Sequence, residues 1–552
     1  MIIAHLMAFK KNLLSNVQLI AVFTTIILAF GCASIQKPQG GPRDKTPPKL
    51  LSASPANKTK NFNAKEIVLN FDEYFKLNNQ YQEITISPAQ EKQPEYRLKQ
   101  KSLVINLKDS LQKNTTYVFS FGKAIGDVNE NNILKNFTYV FTTGNEIDSL
   151  SISGKVVNSE TQEPEKEVTV FIFTQKQDSL LFGKKKPSYY SITDSAGNFR
   201  ISNLHANTYK IYALKEASPN RIFDNDNELI GILPQNIRLR KDTTGIQLEL
   251  FRQVPQKFRV TERRIDPDGK LFFSFNKSID QPEIRILNNE VLDKQKIVEF
   301  NKAADSAKVY LRETNFDSIK VAFLSNGKTL DTITLRRGKR DNYKRILSIS
   351  NNAAGLLKPK TALQLTSNFP IESTNEAQIV LNEDSVPKYG FGLEKDPSSL
   401  KNYSLKYPWK DGKHYDVLLN EGTFIDIFGN KNKKTTISFQ LNKEENYGTM
   451  TYNVVLPDTT KAYIFELLNS EKKLIESIKI NRSKPIIFNT FSTGKYNVRV
   501  IYDLNRNGKW DTGDLKKRTL PEPIWVDKKE FTLRANFEQV EQIIVPKLTT
   551  NP

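Results

Sequence analysis

The 552-residue chain contains one cysteine and three histidines. A single cysteine excludes intrachain disulfides and any zinc site built from several cysteines. Three histidines leave little for a histidine-rich metal centre or for acid–base catalysis by imidazole. Both shortages favour a protein that is not an enzyme, although a hydrolase that works with two carboxylates remains compatible with them.

Long apolar runs and helical periodicity are also missing after Cys32. Short stretches instead alternate apolar and polar residues between turn residues, as in 66–71, 102–107, 116–121, 245–250 and 496–500. Such alternation buries one face of an antiparallel strand and leaves the other in water. Many short strands at close spacing predict an all-β chain, organised as a tandem array of about five β-sandwiches with little helix.

Basic residues exceed acidic ones, because 81 Lys and Arg stand against 61 Asp and Glu and give a net charge of +20. The excess is spread over short clusters such as 184–186 and 336–340. In an exported protein these clusters would attract anionic lipid headgroups or acidic glycans, and a solvated surface is the commonest explanation for such clusters. We expect no nucleic acid partner.

The N-terminus has the layout of an export signal. Lys10 and Lys11 precede an apolar run of twelve residues at 19–30, which is too short to span about 30 Å of hydrocarbon comfortably. The run ends in Leu28-Ala29-Phe30-Gly31-Cys32, which resembles a bacterial lipobox although Ala29 stands where leucine is commoner. The alternative is a signal anchor with a buried cysteine.

The lipobox resemblance implies a signal peptide at 1–31 and a covalent lipid on Cys32, the only cysteine of the chain. Residues 32–45 are rich in Gly, Pro and Gln and are expected to form a flexible tether behind the lipid. Ala33 is not the aspartate that retains many such lipoproteins in an inner membrane. The implied location is the outer membrane, to which the lipid anchors the protein on either the periplasmic face or the cell-surface face.

Two repeat types divide the body. Residues 46–145 run from Thr46-Pro47-Pro48 to a final strand at 137–144, with a loop at 126–131, and resemble the Ig-like domain of S-layer proteins and Bacteroidota lipoproteins. Residues 346–442 look like a degenerate copy. Residues 148–250 and 445–548 resemble the carboxypeptidase-regulatory or Cna-B-like prealbumin sandwich, with Tyr209 and Tyr496 at an offset of 287. Residues 251–345 are expected to form a sandwich of unclear type.

The segment 503–514 fits a calcium loop of the EF-hand or dockerin kind, because oxygen donors alternate along it and Gly508 supplies a sharp turn. An aspartate replaces glutamate at its last position, and basic residues flank it. The alternative is a hairpin of Asx turns, since Asp, Asn and Gly are also turn residues. The candidate Ca²⁺ ligands, with the carbonyl contributed by the lysine, are Asp503, Asn505, Asn507, Lys509, Asp511 and Asp514.

At the same offset of 287, a second segment aligns with this loop. In that segment Arg221 replaces the turn glycine, and Phe223 occupies the position of Trp510. The offset places Glu216, Ser218, Asn220, Asp224 and Asn227 at positions of candidate ligands and Arg221 at the position of Gly508. Asp226 and Glu228 are further donors there. We expect a shared turn scaffold with the aromatic ring beneath it, and weaker metal binding than in the first loop.

No catalytic residue is identified. Asp72 and Glu73 are adjacent on a predicted strand, so their side chains point to opposite faces. His205 and His414 lie in different repeats and have no partner motif. The sequence therefore predicts a non-enzymatic cell-envelope lipoprotein that serves as a structural, adhesive or binding array, with glycans or other envelope proteins as partners. The alternative is a carbohydrate-active enzyme, or an accessory protein of polysaccharide processing, with a carboxylate-based site.

Overall fold

The computed structural model describes residues 44–217, 220–225, 227–338 and 342–548. It is 49% strand and 4% helix, which confirms the all-β prediction. Cys32, the signal segment and most of the tether lie outside the described residues, so the signal peptide, the tether and the lipid stay predictions. Contacts divide the chain into one compact unit that ends at Ile147 and a second that begins at Asp148 and also takes in Ser87–Ala89.

The first sandwich has three sheets, ordered β1-β2-β6-β5, β4-β7-β9 and β3-β8. Alternation works as expected in β2, where Ile67, Leu69 and Phe71 are buried between half-exposed neighbours. A short helix α1 spans Gln80–Glu83. The strands are β1 Leu50–Ser54, β2 Glu66–Phe71, β3 Phe75–Leu77, β4 Thr85–Ser87, β5 Glu95–Lys99, β6 Ser102–Asn106, β7 Thr116–Ser120, β8 Ile125–Asp127 and β9 Thr138–Thr142.

The second sandwich places its first and last strands side by side, because β10 pairs in parallel with β17. Helix α2, Gln175–Leu181, is inserted after β11 and begins with a capping box between Thr174 and Gln177. The strands are β10 Leu150–Asn158, β11 Thr169–Thr174, β12 Tyr189–Ile192, β13 Asn198–Leu204, β14 Asn207–Lys215, β15 Leu229–Ile232, β16 Ile237–Leu239 and β17 Thr243–Arg252.

The strands of the middle segment form two sheets, ordered β18-β19-β22-β21 and β20-β23-β24, around one apolar core. Helix α3, Glu290–Gln295, connects the two sheets and is capped by Asn289. The strands are β18 Val260–Ile265, β19 Leu271–Phe275, β20 Pro282–Ile286, β21 Ile297–Phe300, β22 Ser306–Tyr310, β23 Ser318–Ser325 and β24 Lys328–Arg336.

The fourth sandwich repeats the strand order of the first, with two additional short strands, β26 and β30. Short 3₁₀ helices lie at Glu376–Gln378 and Glu444–Asn446. The strands are β25 Ile349–Asn351, β26 Leu356–Leu357, β27 Leu363–Ser367, β28 Ile371–Thr374, β29 Ile379–Glu383, β30 Val386–Lys388, β31 Gly392–Lys395, β32 Asn402–Lys406, β33 His414–Leu419, β34 Phe424–Asp426 and β35 Thr435–Leu441.

The last sandwich corresponds to the second strand for strand, including the parallel pairing of its first and last strands. The hydroxyls of Tyr209 and Tyr496 each donate to the carbonyl four residues earlier, at 2.9 and 2.7 Å. The strands are β36 Tyr447–Val455, β37 Ala462–Asn469, β38 Leu474–Ile480, β39 Lys484–Ser492, β40 Gly494–Asp503, β41 Ile524–Val526, β42 Phe531–Leu533 and β43 Glu538–Ile544.

The loop after β34 of the fourth sandwich contacts the third sandwich. Asp426 Oδ1 accepts from the backbone N–H groups of Phe428 and Asn430, both at 2.9 Å, and so shapes the loop after β34. Ile427 at its tip packs with Tyr310 of the third sandwich. Arg312 donates to the Ile427 carbonyl at 2.6 Å. A loop whose conformation is fixed by Asp426 therefore holds these two neighbouring sandwiches in contact.

Candidate functional site

The segment 503–514 follows β40 as an Asx-turn loop. Asp503 is buried, and its two carboxylate oxygens accept from the backbone N–H groups of Asn507 and Gly508 at 3.0 and 2.8 Å. Gly508 has a φ of 74°, the left-handed conformation that glycine adopts without strain. The turn glycine predicted from the sequence therefore occupies the expected conformation.

Four of the six predicted ligand residues are brought together. The amide nitrogens of Asn505 and Asn507 both lie 2.6 Å from Asp511 Oδ2. Their amide oxygens accept backbone N–H groups, from Asn507 at 3.0 Å and from Lys509 at 2.7 Å. The side chains around Asp503 and Asp511 are thus held by the hydrogen bonds of successive Asx turns.

Asp514 belongs to a separate turn. Its Oδ1 accepts from the backbone N–H groups of Lys516 and Lys517 at 2.9 and 3.0 Å. Among the residues that the structure describes, no group of three or more His, Cys, Asp or Glu side chains is placed to hold a metal ion. A cation in this loop would therefore need asparagine and backbone oxygens beside Asp503 and Asp511, and the calcium site stays a prediction.

Glu522 completes the loop and was missed by the sequence analysis. Its side chain is buried and accepts from the backbone N–H groups of Leu504 and Asp511 at 2.7 and 3.1 Å. Burial raises its pKa above that of an exposed glutamate. Its carbonyl also accepts from the Trp510 indole at 2.9 Å, and the ring packs beside Ile464 and Ile501.

The loop after β14 shares this construction. Glu216 accepts from the backbone N–H groups of Asn220 and Arg221, both at 2.9 Å, as Asp503 does from the two residues at the same offset. Arg221 has a φ of 64°, close to that of Gly508, although it carries a side chain. Buried Glu228 accepts from the N–H of Asp224 at 3.1 Å and so resembles Glu522. Ser218 and Asp226 lie outside the described residues.

The two loops differ in length. Glu522 lies 294 positions after Glu228, seven more than the offset of 287 that relates the preceding strands. The additional residues fall between Asp511 and Glu522, and they contact the second sandwich. A turn scaffold common to both repeats therefore carries an insertion in the last sandwich only.

This insertion, residues 512–518, docks on the second sandwich through polar and apolar contacts. Thr512 donates to the Arg252 carbonyl at 2.8 Å, and the Leu515 N–H donates to Gln253 Oε1 at 2.7 Å. Leu515 packs on an apolar cluster of the second sandwich that contains Phe251. Nothing in the sequence analysis placed these two sandwiches in contact.

Arg518 and helix α2 complete the docking contact. Arg518 donates to the Tyr212 hydroxyl at 3.0 Å and also to the Leu233 carbonyl. The Tyr212 hydroxyl donates in turn to Asp178 Oδ1 at 2.6 Å, and Lys210 bonds the other oxygen of that carboxylate at 2.5 Å. Burial and the Asp178 carboxylate raise the pKa of Tyr212, so the phenol stays protonated.

Beside this network lies a cleft of about 900 Å³. We call it the docking cleft; its walls are helix α2 and the loop after β14, the linker at 253–259, and residues 515–518. Two acidic side chains line it. Both oxygens of Asp178 are occupied by Tyr212 and Lys210, and Asp224 accepts from the Asn220 amide at 3.0 Å. This arrangement does not favour the carboxylate-pair hydrolase.

The remaining residues that the sequence analysis singled out lie apart from the docking cleft. Asp72 accepts from the Lys49 N–H at 2.8 Å, while burial and the neighbouring Asp72 raise the pKa of Glu73. His205 is exposed and contacts Asp148 at 2.9 Å, and His414 lies 3.3 Å from Asp416. Cys32 lies outside the described residues.

We expect millimolar Ca²⁺ to stabilise the last sandwich modestly. A site with a Kd of about 10⁻³ M, as in extracellular modules, would contribute about 1.4 kcal/mol at ten times that concentration. Thermal unfolding of the full chain, followed by tryptophan fluorescence and compared between calcium and chelator, measures this. Asp511→Asn should abolish the gain because it removes a charged ligand, whereas Asp224→Asn should leave it intact. Identical melting curves in calcium and chelator would show that 503–514 is a hydrogen-bonded turn alone.

None of the helices in the described part of the chain is both long and apolar enough to cross a membrane.

Comparison with curated proteins finds no match. Solved structures align at low identity and with low TM-scores. The major pilin subunit BcpA of Bacillus cereus is 9% identical, covers 72% of this chain and 99% of its own, and has a TM-score of 0.14. Domains 1–6 of the surface layer protein SbsC are 10% identical, with 88% and 67% covered and a TM-score of 0.14.

A third structure is SGBP-B from the mixed-linkage glucan utilization locus of Bacteroides ovatus, in complex with a mixed-linkage heptasaccharide. It is 11% identical, covers 62% of this chain and 85% of its own, and has a TM-score of 0.18. At these scores the three alignments carry no argument about function. The match to a family model is local and agrees with the resemblance seen in the sequence: residues 44–143 match the bacterial Ig-like domain.

Proposed function

We propose that the chain is a non-enzymatic lipoprotein of the cell envelope, anchored in the outer membrane through Cys32, whose sandwiches present a binding surface. The proposal rests on the lipobox-like 28–32 segment, on the tether behind it and on the Ig-like match of residues 44–143. Its candidate partners are the membrane, through the lipid, and envelope glycans or proteins.

The observation that carries the binding role is the docking cleft. Two insertions, helix α2 in the second sandwich and residues 512–518 in the last, have no counterpart in the other copy of the repeat. Together with the linker they enclose a concave site of a size typical for ligands. Loops on a rigid β-scaffold are where binding residues concentrate, so this site is where function is expected.

Replacing the lipid acceptor tests the anchoring half of the proposal. In Cys32→Ser the protein should lose incorporation of labelled fatty acid and should either leave the membrane fraction or accumulate as the uncleaved precursor. Ser34→Ala, two residues away in the tether, is the matched control and should behave as wild type. A Cys32→Ser protein that matures and fractionates like wild type would contradict the lipoprotein assignment.

A further inference from the structure

We propose that the docking cleft binds an acidic saccharide, whose carboxylate or sulfate groups meet the basic rim while its sugar ring lies on the aromatic wall. This inference deepens the proposed function, on which it rests, by naming a ligand class for its binding surface. Three features of the cleft support it: its charge, its aromatic wall and its amide groups.

The lining of the cleft is positively charged overall, because it contains five basic side chains and two acidic ones. Two of the five serve the structure, since Lys210 pairs with Asp178 and Arg518 binds Tyr212 and the Leu233 carbonyl. The other three are exposed; Lys257 lies on the linker and Lys516 on the insertion, and Arg259 on the linker has an interaction of its own. Cations gathered around a concavity focus a positive potential into it, which favours an anionic ligand.

The aromatic wall consists of Phe182 and Phe223, both half-buried. Their ring centroids lie 6.3 Å apart with an angle of 33° between the planes, and Phe182 packs on buried Tyr212 at 4.3 Å. Both rings line the cleft and pack against the buried cluster behind it. An apolar ring face suits the C–H face of a sugar better than it suits an inorganic anion.

Amide side chains provide the third feature. Gln256 and Asn225 line the same cleft and carry amide groups that can bond a ligand, whereas the Gln253 amide is engaged by the Leu515 N–H and the Val254 carbonyl. Donors and acceptors beside an aromatic wall match the hydroxyl groups of a carbohydrate, whereas the carboxylate of a fatty acid offers only acceptors. Charge, ring faces and amides together therefore select an acidic saccharide over a neutral sugar and over a simple anion.

The cleft also exists only while the insertion is docked. Phe182 belongs to the second sandwich, Lys257 to the linker and Lys516 to the last sandwich. A ligand that contacts all three binds only the docked arrangement and stabilises it by mass action. Ligand binding is therefore expected to strengthen the contact between the two sandwiches.

Calorimetric titration of the full chain with trigalacturonic acid tests the proposal. We expect saturable binding that weakens with salt, no binding of the neutral trisaccharide galactotriose, and much weaker binding of inorganic phosphate. The charge-reversed variant with Lys257→Glu and Lys516→Glu should bind trigalacturonic acid about tenfold more weakly or worse. Phe223→Ala should also weaken it while leaving the response to salt unchanged.

The matched control carries Lys241→Glu and Lys528→Glu, which change the net charge equally at exposed lysines that do not line the cleft. Its affinity should stay within about twofold of wild type. Equal loss in both double variants, or no binding of trigalacturonic acid, would overturn the proposal, and so would phosphate binding of equal strength. Membrane fractionation of the same variants separates this failure from failure of the envelope proposal, because neither pair of lysines contributes to the anchor.

Discussion

Gly154→Ala is expected to destabilise the second sandwich by roughly 3 kcal/mol or more, the upper range for overpacking. Gly154 lies where β10 runs parallel to β17. A Cβ added there would be 1.9 Å from the Ile246 carbonyl oxygen and 2.7 Å from its carbonyl carbon. Both are backbone atoms, so no side-chain rotation relieves the contact and the two strands must separate.

Amide hydrogen exchange of the full chain is the appropriate measurement, because it resolves each sandwich and the second sandwich contains no tryptophan to report its unfolding. Protection should fall in β10 and β17 and remain unchanged in β36 and β43, the corresponding pair of the last sandwich. Gly392→Ala is the matched control, since no atom lies within 4 Å of its added Cβ and its φ is outside the left-handed region. Unchanged protection in Gly154→Ala would contradict the close approach of the two strands.

The strands and their repeat could be predicted from the sequence because they depend on local patterns. Alternation in 66–71 and 496–500 reflects which face of a strand is buried. The offset between Tyr209 and Tyr496 reflects a common hydrogen bond, since each hydroxyl donates to the carbonyl four residues earlier. Patterns of this kind lie within one sandwich and need no knowledge of its neighbours.

The docking cleft could not be predicted in the same way. Asp178, Tyr212 and Arg518 come from three separated segments, and only the folded chain brings them together. Two local signals were nevertheless present. Thr174 and Gln177 have the spacing of a capping box and mark helix α2, and the additional residues before Glu522 mark the insertion. A comparison of loop lengths between the repeats would have located both walls, although not their contact.

The segment 503–514 shows a different limit of prediction from the sequence. Alternating Asp and Asn residues predicted a ligand set, and the structure brings Asp503, Asn505, Asn507 and Asp511 together. The same side chains also satisfy the backbone N–H groups of the turn. Sequence spacing cannot separate these two uses, because an Asx turn and an oxygen-ligand loop require the same residue types at the same intervals.

Gly513→Ala is expected to undock the insertion from the second sandwich. An added Cβ would lie 2.7 to 2.8 Å from three carbons of the Phe251 ring. That ring is 1% exposed and belongs to a buried cluster with Phe171 and Tyr212, so moving it would disturb a packed core. The backbone at 513 has no positive φ, which means that alanine adds steric overlap without backbone strain. We expect a cost of about 2 kcal/mol to the docked state.

Trypsin cleavage reports undocking of the insertion, because trypsin cleaves after Lys516, Lys517 and Arg518, which all lie within it. Cleavage requires local opening, so its rate follows the population of the undocked state when opening is fast. A cost of about 2 kcal/mol should therefore accelerate cleavage at these three bonds roughly thirtyfold. Gly392→Ala, in the fourth sandwich, should leave the rate unchanged, and trigalacturonic acid should slow cleavage of the wild type. If Gly513→Ala is cut there at the wild-type rate, the insertion does not depend on Phe251 and the last sandwich is not held on the second by this contact.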